Sequence, residues 1–448
     1  MSENNSLKPL LKYRESLAIN LIDMVGIGPF ITIPFVIGTM NGPASIYAWI
    51  LGCFLSFMDA SVWAELGAKW PAAGGSYVFL KSLFGEQKYG RYLSFLYIWQ
   101  TSIQAPLVIA SGAIGFAQYF CYLMPINDLQ QKLVAGSLVL LVCFLLYRNI
   151  VTIGKMAVVF GLIVIGTIVV LILSGFFASD PTLSVLPNMS ETDFSSAFFV
   201  ALGMASTKTI YSYLGYYNVC HIGAEIQEPE KNIPKSMFWS IAIISVLYIG
   251  LNSAVLSVIP WQTAKDSPFI VSLFVEKIYG EFAAQIATAF ILLIALSSLF
   301  AVMLGYSRVP YAAAKDGNYF PIFAKVHPKL NIPHVSLLVL GALAFVFSLL
   351  FKMREIITAI VVMRILVQFI AQSIGLIQFR IRFKQEQFPY KMYWFPIPPI
   401  LGILVWLFVF FSVEWAYIFG AFSIITIGSI LFLIQSKKQQ KWPFELTH

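Results

Sequence analysis

Two stretches of this chain join backbone-loosening residues to long apolar flanks: Gly26-Ile27-Gly28-Pro29 and Leu214-Gly215-Tyr216-Tyr217. A helix interrupted at the first leaves free N–H groups and a positive dipole end at the start of its second half, which suits an anion. One interrupted at the second leaves free carbonyls at the end of its first half, which suits a cation. Unpaired backbone groups are costly in hydrocarbon, so such breaks persist only where they line a cavity. Matched breaks in two halves of a membrane chain point to a small-molecule site near the bilayer midplane, as in a transporter. The alternative for the glycines is that they only allow close helix packing.

Four ionisable residues, Asp23, Asp59, Lys208 and Arg364, also fall in apolar segments, where charge is costly and usually functional. At 1.5 Å per residue, Lys208 and Arg364 lie about 16 Å and about 12 Å from the outer ends of their helices, at similar depth with no acidic residue at that level. Asp23 and Asp59 lie about 10 Å from the inner ends. Each is read as part of an inner gate or proton relay, or as a carboxylate solvated by a water-filled inner mouth.

The elements that must position these residues are apolar helices. Of 448 residues, 59% are hydrophobic and 11% charged, with mean hydropathy +0.80, whereas a soluble domain keeps roughly a quarter of its residues charged. A span needs about 20 apolar residues. Twelve such segments are read, beginning near Leu17, Ala44, Tyr92, Leu133, Met156, Ala197, Met237, Ala283, Val335, Ile356, Trp394 and Ala416. They predict an all-α integral membrane protein: a tail over 1–14, a transmembrane region over 15–436 and a tail over 437–448. Within it, five helices over 15–178 and five over 194–383 each open with a broken helix, and two more follow over 393–436. An odd number of spans per half requires the second half to be inverted.

The first apolar segment is too long for a signal peptide and reads as a retained helix. Net charge is +8. With the N-terminus inside, about 22 of the Lys and Arg residues fall in cytoplasmic segments and about five (Lys132, Lys265, Lys277, Lys352, Arg354) in outer loops, which orients both termini to the cytoplasm of an inner or plasma membrane. That bias accounts for the basic excess, so the bilayer and not nucleic acid is the expected partner; a partner subunit cannot be read. Cys53, Cys121, Cys143 and Cys220 are scattered without CxxC spacing, and neither a disulfide framework nor a metal site is expected. No HExxH, GxSxG or Walker A run occurs and the four histidines are dispersed, which argues against a membrane-embedded enzyme, direct use of ATP and any cofactor. A channel or a ligand-sensing receptor stays open.

Further motifs sit at the helix ends: Gly-x-Gly-x-Phe with Pro34 beyond it, Glu65-Leu66 followed by Pro71-x-x-Gly74-Gly75-x-Tyr77, Glu225-x-x-x-Pro229-Glu230-Lys231-Asn232-Ile233-Pro234, and Ser307-Arg308 leading to Ala314-x-Asp316-Gly317 and Pro321. In this order the chain resembles the amino acid/polyamine/organocation (APC) superfamily of amino acid permeases over nearly its whole length.

The resemblance implies a LeuT-type fold and a secondary active amino acid transporter, either an exchanger or a proton-coupled symporter. It implies that Gly26, Ile27 and Gly28 offer amides to the substrate carboxylate, and that carbonyls of Tyr211, Ser212 and Leu214 beside Gly215 receive the ammonium. Pro29 departs from the family's aliphatic residue and has no N–H to donate. Tyr211 matches the family's aromatic gate, and Gln104, Pro106, Ser297 and Ser298 are further pocket candidates. In such a fold Lys208 and Arg364 would line one positive outer vestibule that attracts carboxylates and selects an anion-bearing side chain over a cationic one. Helix five has no lysine in its body, since Lys155 lies at its end. Sodium ligands are limited to the two serines, which usually bond their own backbone, so sodium coupling is disfavoured.

Overall fold

The computed structural model describes residues 7–188, 194–351 and 353–444. Lys352, His448 and the outermost parts of both tails, 1–6 and 445–448, lie outside the described residues, as does the side chain of Arg354. The described chain is helical, with two isolated β-bridges and no strand.

The first broken helix comprises α1 (Tyr13–Met24) and α2 (Gly28–Thr39), whose axes bend by 44°. It is followed by α3 (Ser45–Lys69), the short α4 (Ser76–Phe84), α5 (Tyr89–Leu123), α6 (Asp128–Leu146) and α7 (Ile150–Phe177). The second broken helix comprises α8 (Ser196–Tyr213) and the four-residue α9 (Asn218–His221). Then come α10 (Pro229–Val258), the loop helices α11 (Trp261–Ala264) and α12 (Ile270–Tyr279), α13 (Glu281–Tyr306), α14 (Arg308–Lys315) and α15 (His334–Leu350). A long helix follows as α16 (Met353–Arg364), a π-helical stretch Ile365–Ile370 and α17 (Ala371–Arg382). The chain closes with α18 (Ile397–Phe411) and α19 (Trp415–Gln439).

Eight of these helices are long and apolar enough to cross a membrane, and nine spans result if the bent α1–α2 pair counts as one. Local sequence explains several boundaries. Asn127 accepts from the Gln130 N–H while the Gln130 side chain accepts from the Asn127 N–H, each at 2.9 Å, a capping box that starts α6. Asn149 caps α7 through the Thr152 N–H. Pro229 occupies the first turn of α10, where its missing donor costs nothing.

Packing pairs α3 with α10, α5 with α13 and α6 with α15; α1 packs on α7 and α10, and α8 on α16 and α3. At the end of the bundle that carries the N-terminus, Leu11 bridges to Ile226 and the Leu10 and Leu11 amides both donate to the Glu225 carbonyl at 2.9 Å. There Arg308 grips the Glu225 carboxylate with two bonds, 2.8 and 2.9 Å, both side chains almost wholly buried.

Candidate substrate site

Both breaks line one cavity of about 60 Å³. On the first side, the N–H groups of Gly26, Ile27 and Gly28 meet no hydrogen-bond acceptor among the described residues, while the Ile31 N–H already closes on the Ile27 carbonyl at 3.2 Å. Pro29 therefore removes one donor and leaves three lining the cavity. Side chains are kept out by contact: a Cβ on Gly26 would lie 2.5 Å from Ser298 Oγ, and one on Gly28 3.3 Å from the Tyr211 ring.

On the second side, Gly215 has φ +124°, and a Cβ there would stand 2.9 Å from the Met24 nitrogen and 3.0 Å from the Asp23 carboxyl carbon. Only glycine fits that backbone shape and that approach. The two breaks thus touch each other. Of the three carbonyls expected to receive an ammonium, that of Ser212 accepts from the Tyr248 hydroxyl at 3.1 Å, while those of Tyr211 and Leu214 accept no hydrogen bond among the described residues.

Three residues that the sequence reading missed brace this arrangement. Asn20 donates to the Tyr216 carbonyl at 2.7 Å and accepts from the Val219 N–H at 3.2 Å. Tyr248 on α10 reaches the Met24 carbonyl at 2.6 Å as well as Ser212. Thr32 on α2 bonds the Ser212 hydroxyl at 2.9 Å. The available signal was a polar side chain in an otherwise apolar span, which must find partners inside the protein.

The structure separates the charged residues differently from the depth count. Lys208 lines a second, larger pocket of about 510 Å³ and bonds Thr358 Oγ1 at 2.8 Å. Asp266, Glu414 and Lys265 line the same pocket, so its charge is mixed and not simply positive. Arg364 is absent from it. Six residues beyond Thr358, about 9 Å further along the helix, Arg364 lines the cavity between the breaks together with Asp23. The expectation that Lys208 and Arg364 share one vestibule at one depth is therefore corrected: extrapolation along each helix ignored how the helices are shifted against one another.

Tyr211 lines the inner cavity, its hydroxyl 2.8 Å from Ser111 Oγ, and packs with Leu107 and Ile360. Lys208 and Ile357, one turn away on their helices, line the larger pocket. Gln104 and Pro106 are buried in α5 outside the cavity, whose α5 lining is Val108 and Gly112. Ser297 lies outside it too, its hydroxyl bonded back to Ile294, whereas Ser298 lines it and donates to the Asp23 carbonyl at 3.3 Å. Asp59 is buried behind the second break, where it accepts from the Tyr216 hydroxyl and from the Trp406 indole at 3.4 Å. It is thus not bathed by a watery inner mouth. Asp23 is half-buried at the cavity wall.

A multi-pass helical membrane protein with free amides and free carbonyls converging on one small cavity belongs to the solute-handling class. Comparison with known proteins agrees. The chain matches the amino acid permease family over residues 11–441. It is 24% identical to the serine/threonine exchanger SteT of Bacillus subtilis over 90% of both chains. It is also 23% identical to that organism's branched-chain amino acid permease BcaP, over 89% of this chain and 87% of BcaP, and 22% identical to its aspartate-proton symporter, over 90% and 80%. The protein belongs to the amino acid permease family of the APC superfamily, a family of transporters and not of enzymes.

Proposed function

We propose that this protein is a secondary amino acid transporter that works by alternating access on a LeuT-type scaffold of twelve spans. The observation that carries the reading is the complementarity of the cavity to a zwitterion. Three unpartnered amides from the first break suit the α-carboxylate, and the carbonyls of Tyr211 and Leu214 with Asp23 suit the ammonium. Counting the shorter apolar helices α15 and α18 and the broken α8–α9 pair as spans supports the number twelve. The packing supports an inverted five-helix repeat. Shifting each helix by five spans turns the α1–α10 contact into the α8–α3 contact and the α1–α7 contact into the α8–α16 contact, while α3–α10, α5–α13 and α6–α15 join equivalent helices. In this reading 15–178 and 194–383 are the repeats, 393–436 the appended pair, and both tails are cytoplasmic. Tyr211, with Leu107 and Ile360, is the thin outer gate between cavity and outer pocket, and the Glu225–Arg308 pair closes the inner side.

Purified protein in liposomes preloaded with unlabelled amino acids, tested with and without a pH gradient, decides the matter. A transporter accumulates labelled substrate by counterflow, an exchanger needs internal substrate, and a proton symporter accumulates with the gradient alone. Saturable binding without flux would make it a sensor instead.

A further inference from the structure

We infer that Arg364 binds a carboxylate on the substrate's side chain, so that the transported class is acidic amino acids; this rests on the transporter reading above. Arg364 is 3% exposed in the middle of a membrane helix and lines the cavity. Its Nη1 donates to the Tyr217 hydroxyl and its Nε to Gln368 Oε1, each at 2.6 Å. The Tyr217, Tyr306 and Phe369 rings lie 5.1, 5.6 and 5.6 Å from the guanidinium carbon. Both hydrogen-bond partners are neutral. Among the described residues no carboxylate comes within 4.0 Å of the guanidinium, and its Nη2 is buried without any partner. A buried charge whose direct partners are all neutral, with Asp23 and Asp59 acting on it only at a distance, is costly unless an anion completes it.

The neighbouring amide has the same one-sided character. Gln368, whose Oε1 accepts from Arg364, keeps its Nε2 as a buried donor without an acceptor. Unfilled donors on the guanidinium and on the amide it holds complement an anion.

The cavity therefore offers two anion-receptive places, the Gly26–Gly28 amides and Arg364, while an ordinary zwitterion brings one carboxylate. Asp23 does not fill the second place, because its carboxyl carbon lies against Gly215, on the side assigned to the ammonium. A dicarboxylic amino acid matches all three: α-carboxylate to the amides, ammonium to Asp23 and the free carbonyls, side-chain carboxylate to Arg364. A lysine or arginine side chain would meet the guanidinium with like charge. Lys208, in the other pocket, takes no part.

The test uses full-length protein in liposomes, with counterflow of aspartate and glutamate against their neutral isosteres asparagine and glutamine, and thermal shift by the same ligands in detergent. The acid is expected to be favoured over its isostere on the order of 10- to 100-fold, the worth of a charge-assisted bond in a buried site. Arg364→Gln should erase that ratio, whatever the rate at which the isosteres still exchange. Should that variant not fold, Gln368→Glu decides: it puts a carboxylate on the side chain that already accepts from Arg364 Nε, so it should fold with at least wild-type melting and lose the acid preference. Unchanged preference in Gln368→Glu overturns the inference. So does exchange of neutral or basic amino acids but not acids by the wild type, including a neutral flux that falls when chloride is replaced by gluconate, which would make chloride the anion at Arg364. Absence of any amino acid flux would instead sink the transporter reading itself.

Discussion

Tyr248→Phe isolates the tie between the two broken helices. The Tyr248 ring packs against Trp49 and Tyr213, both with centroids 5.3 Å away, and phenylalanine keeps those contacts. Only the hydroxyl is lost, and with it a 2.6 Å bond to the Met24 carbonyl and a 3.1 Å contact to that of Ser212. One proton serves both, so the loss amounts to one buried acceptor left unpaired, about 1–3 kcal/mol. Met24 ends α1 and Ser212 lies in the last turn of α8, so the loosened groups are those that shape the cavity. We therefore expect the cost to fall on ligand binding, as a rise of about 5- to 150-fold in the KM for counterflow, with a smaller ligand-induced thermal shift. The variant should insert and fold, because the remaining packing is unchanged. Wild-type KM and wild-type melting together would refute the reasoning, since they would mean that the breaks keep their geometry without this hydroxyl.

Other outcomes follow from the same geometry. Gly28→Ala should weaken uptake moderately, because its Cβ meets the Tyr211 ring at 3.3 Å, and Gly28→Leu should abolish uptake while leaving the protein inserted; near-normal affinity in the leucine variant would remove Gly28 from the site. Tyr211→Phe loses one hydrogen bond to Ser111, worth about 0.5–1.5 kcal/mol, and should slow exchange by no more than about tenfold, whereas Tyr211→Ala should slow it far more; equal losses would point to a hydroxyl contact with substrate. Arg308→Ala leaves the Glu225 carboxylate buried and unpaired, which costs about 3–5 kcal/mol. Its melting temperature should fall sharply and recover in the Arg308→Met, Glu225→Leu double variant; a single variant as stable as wild type contradicts this. If a pH gradient drives accumulation, Asp59→Asn should abolish that accumulation and spare counterflow, since the asparagine oxygen still accepts from the Trp406 indole while its NH2 donates to the Tyr216 hydroxyl oxygen; accumulation at the wild-type level excludes Asp59 from coupling.

The sequence by itself determined the membrane-spanning class, the family and the location of both breaks. These are local properties. An apolar run long enough to span cannot be hidden, and glycine within such a run marks a place where the backbone leaves the helix or is closely approached. Ile27 and Leu214 entered the cavity by simple adjacency to those glycines. What depended on the rotation and shift of one helix against another could be decided only in three dimensions. Ser297 and Ser298 are neighbours in sequence, yet a step of about 100° around α13 sends one hydroxyl back to its own helix and the other to Asp23. The same applies to Gln104, one turn away from the residues of α5 that line the cavity. Arg364 and Lys208 looked equivalent by distance from a helix end, but α8 and α16 are offset, so that Lys208 meets Thr358 in the larger pocket and Arg364 meets Tyr217 in the break. Tyr248 and Asn20 were unremarkable as letters because their partners, Met24, Ser212, Tyr216 and Val219, are mostly far from them along the chain. Backbone groups freed by a break carry no side-chain signature, so the residues that hold them in place become visible only when the helices are packed.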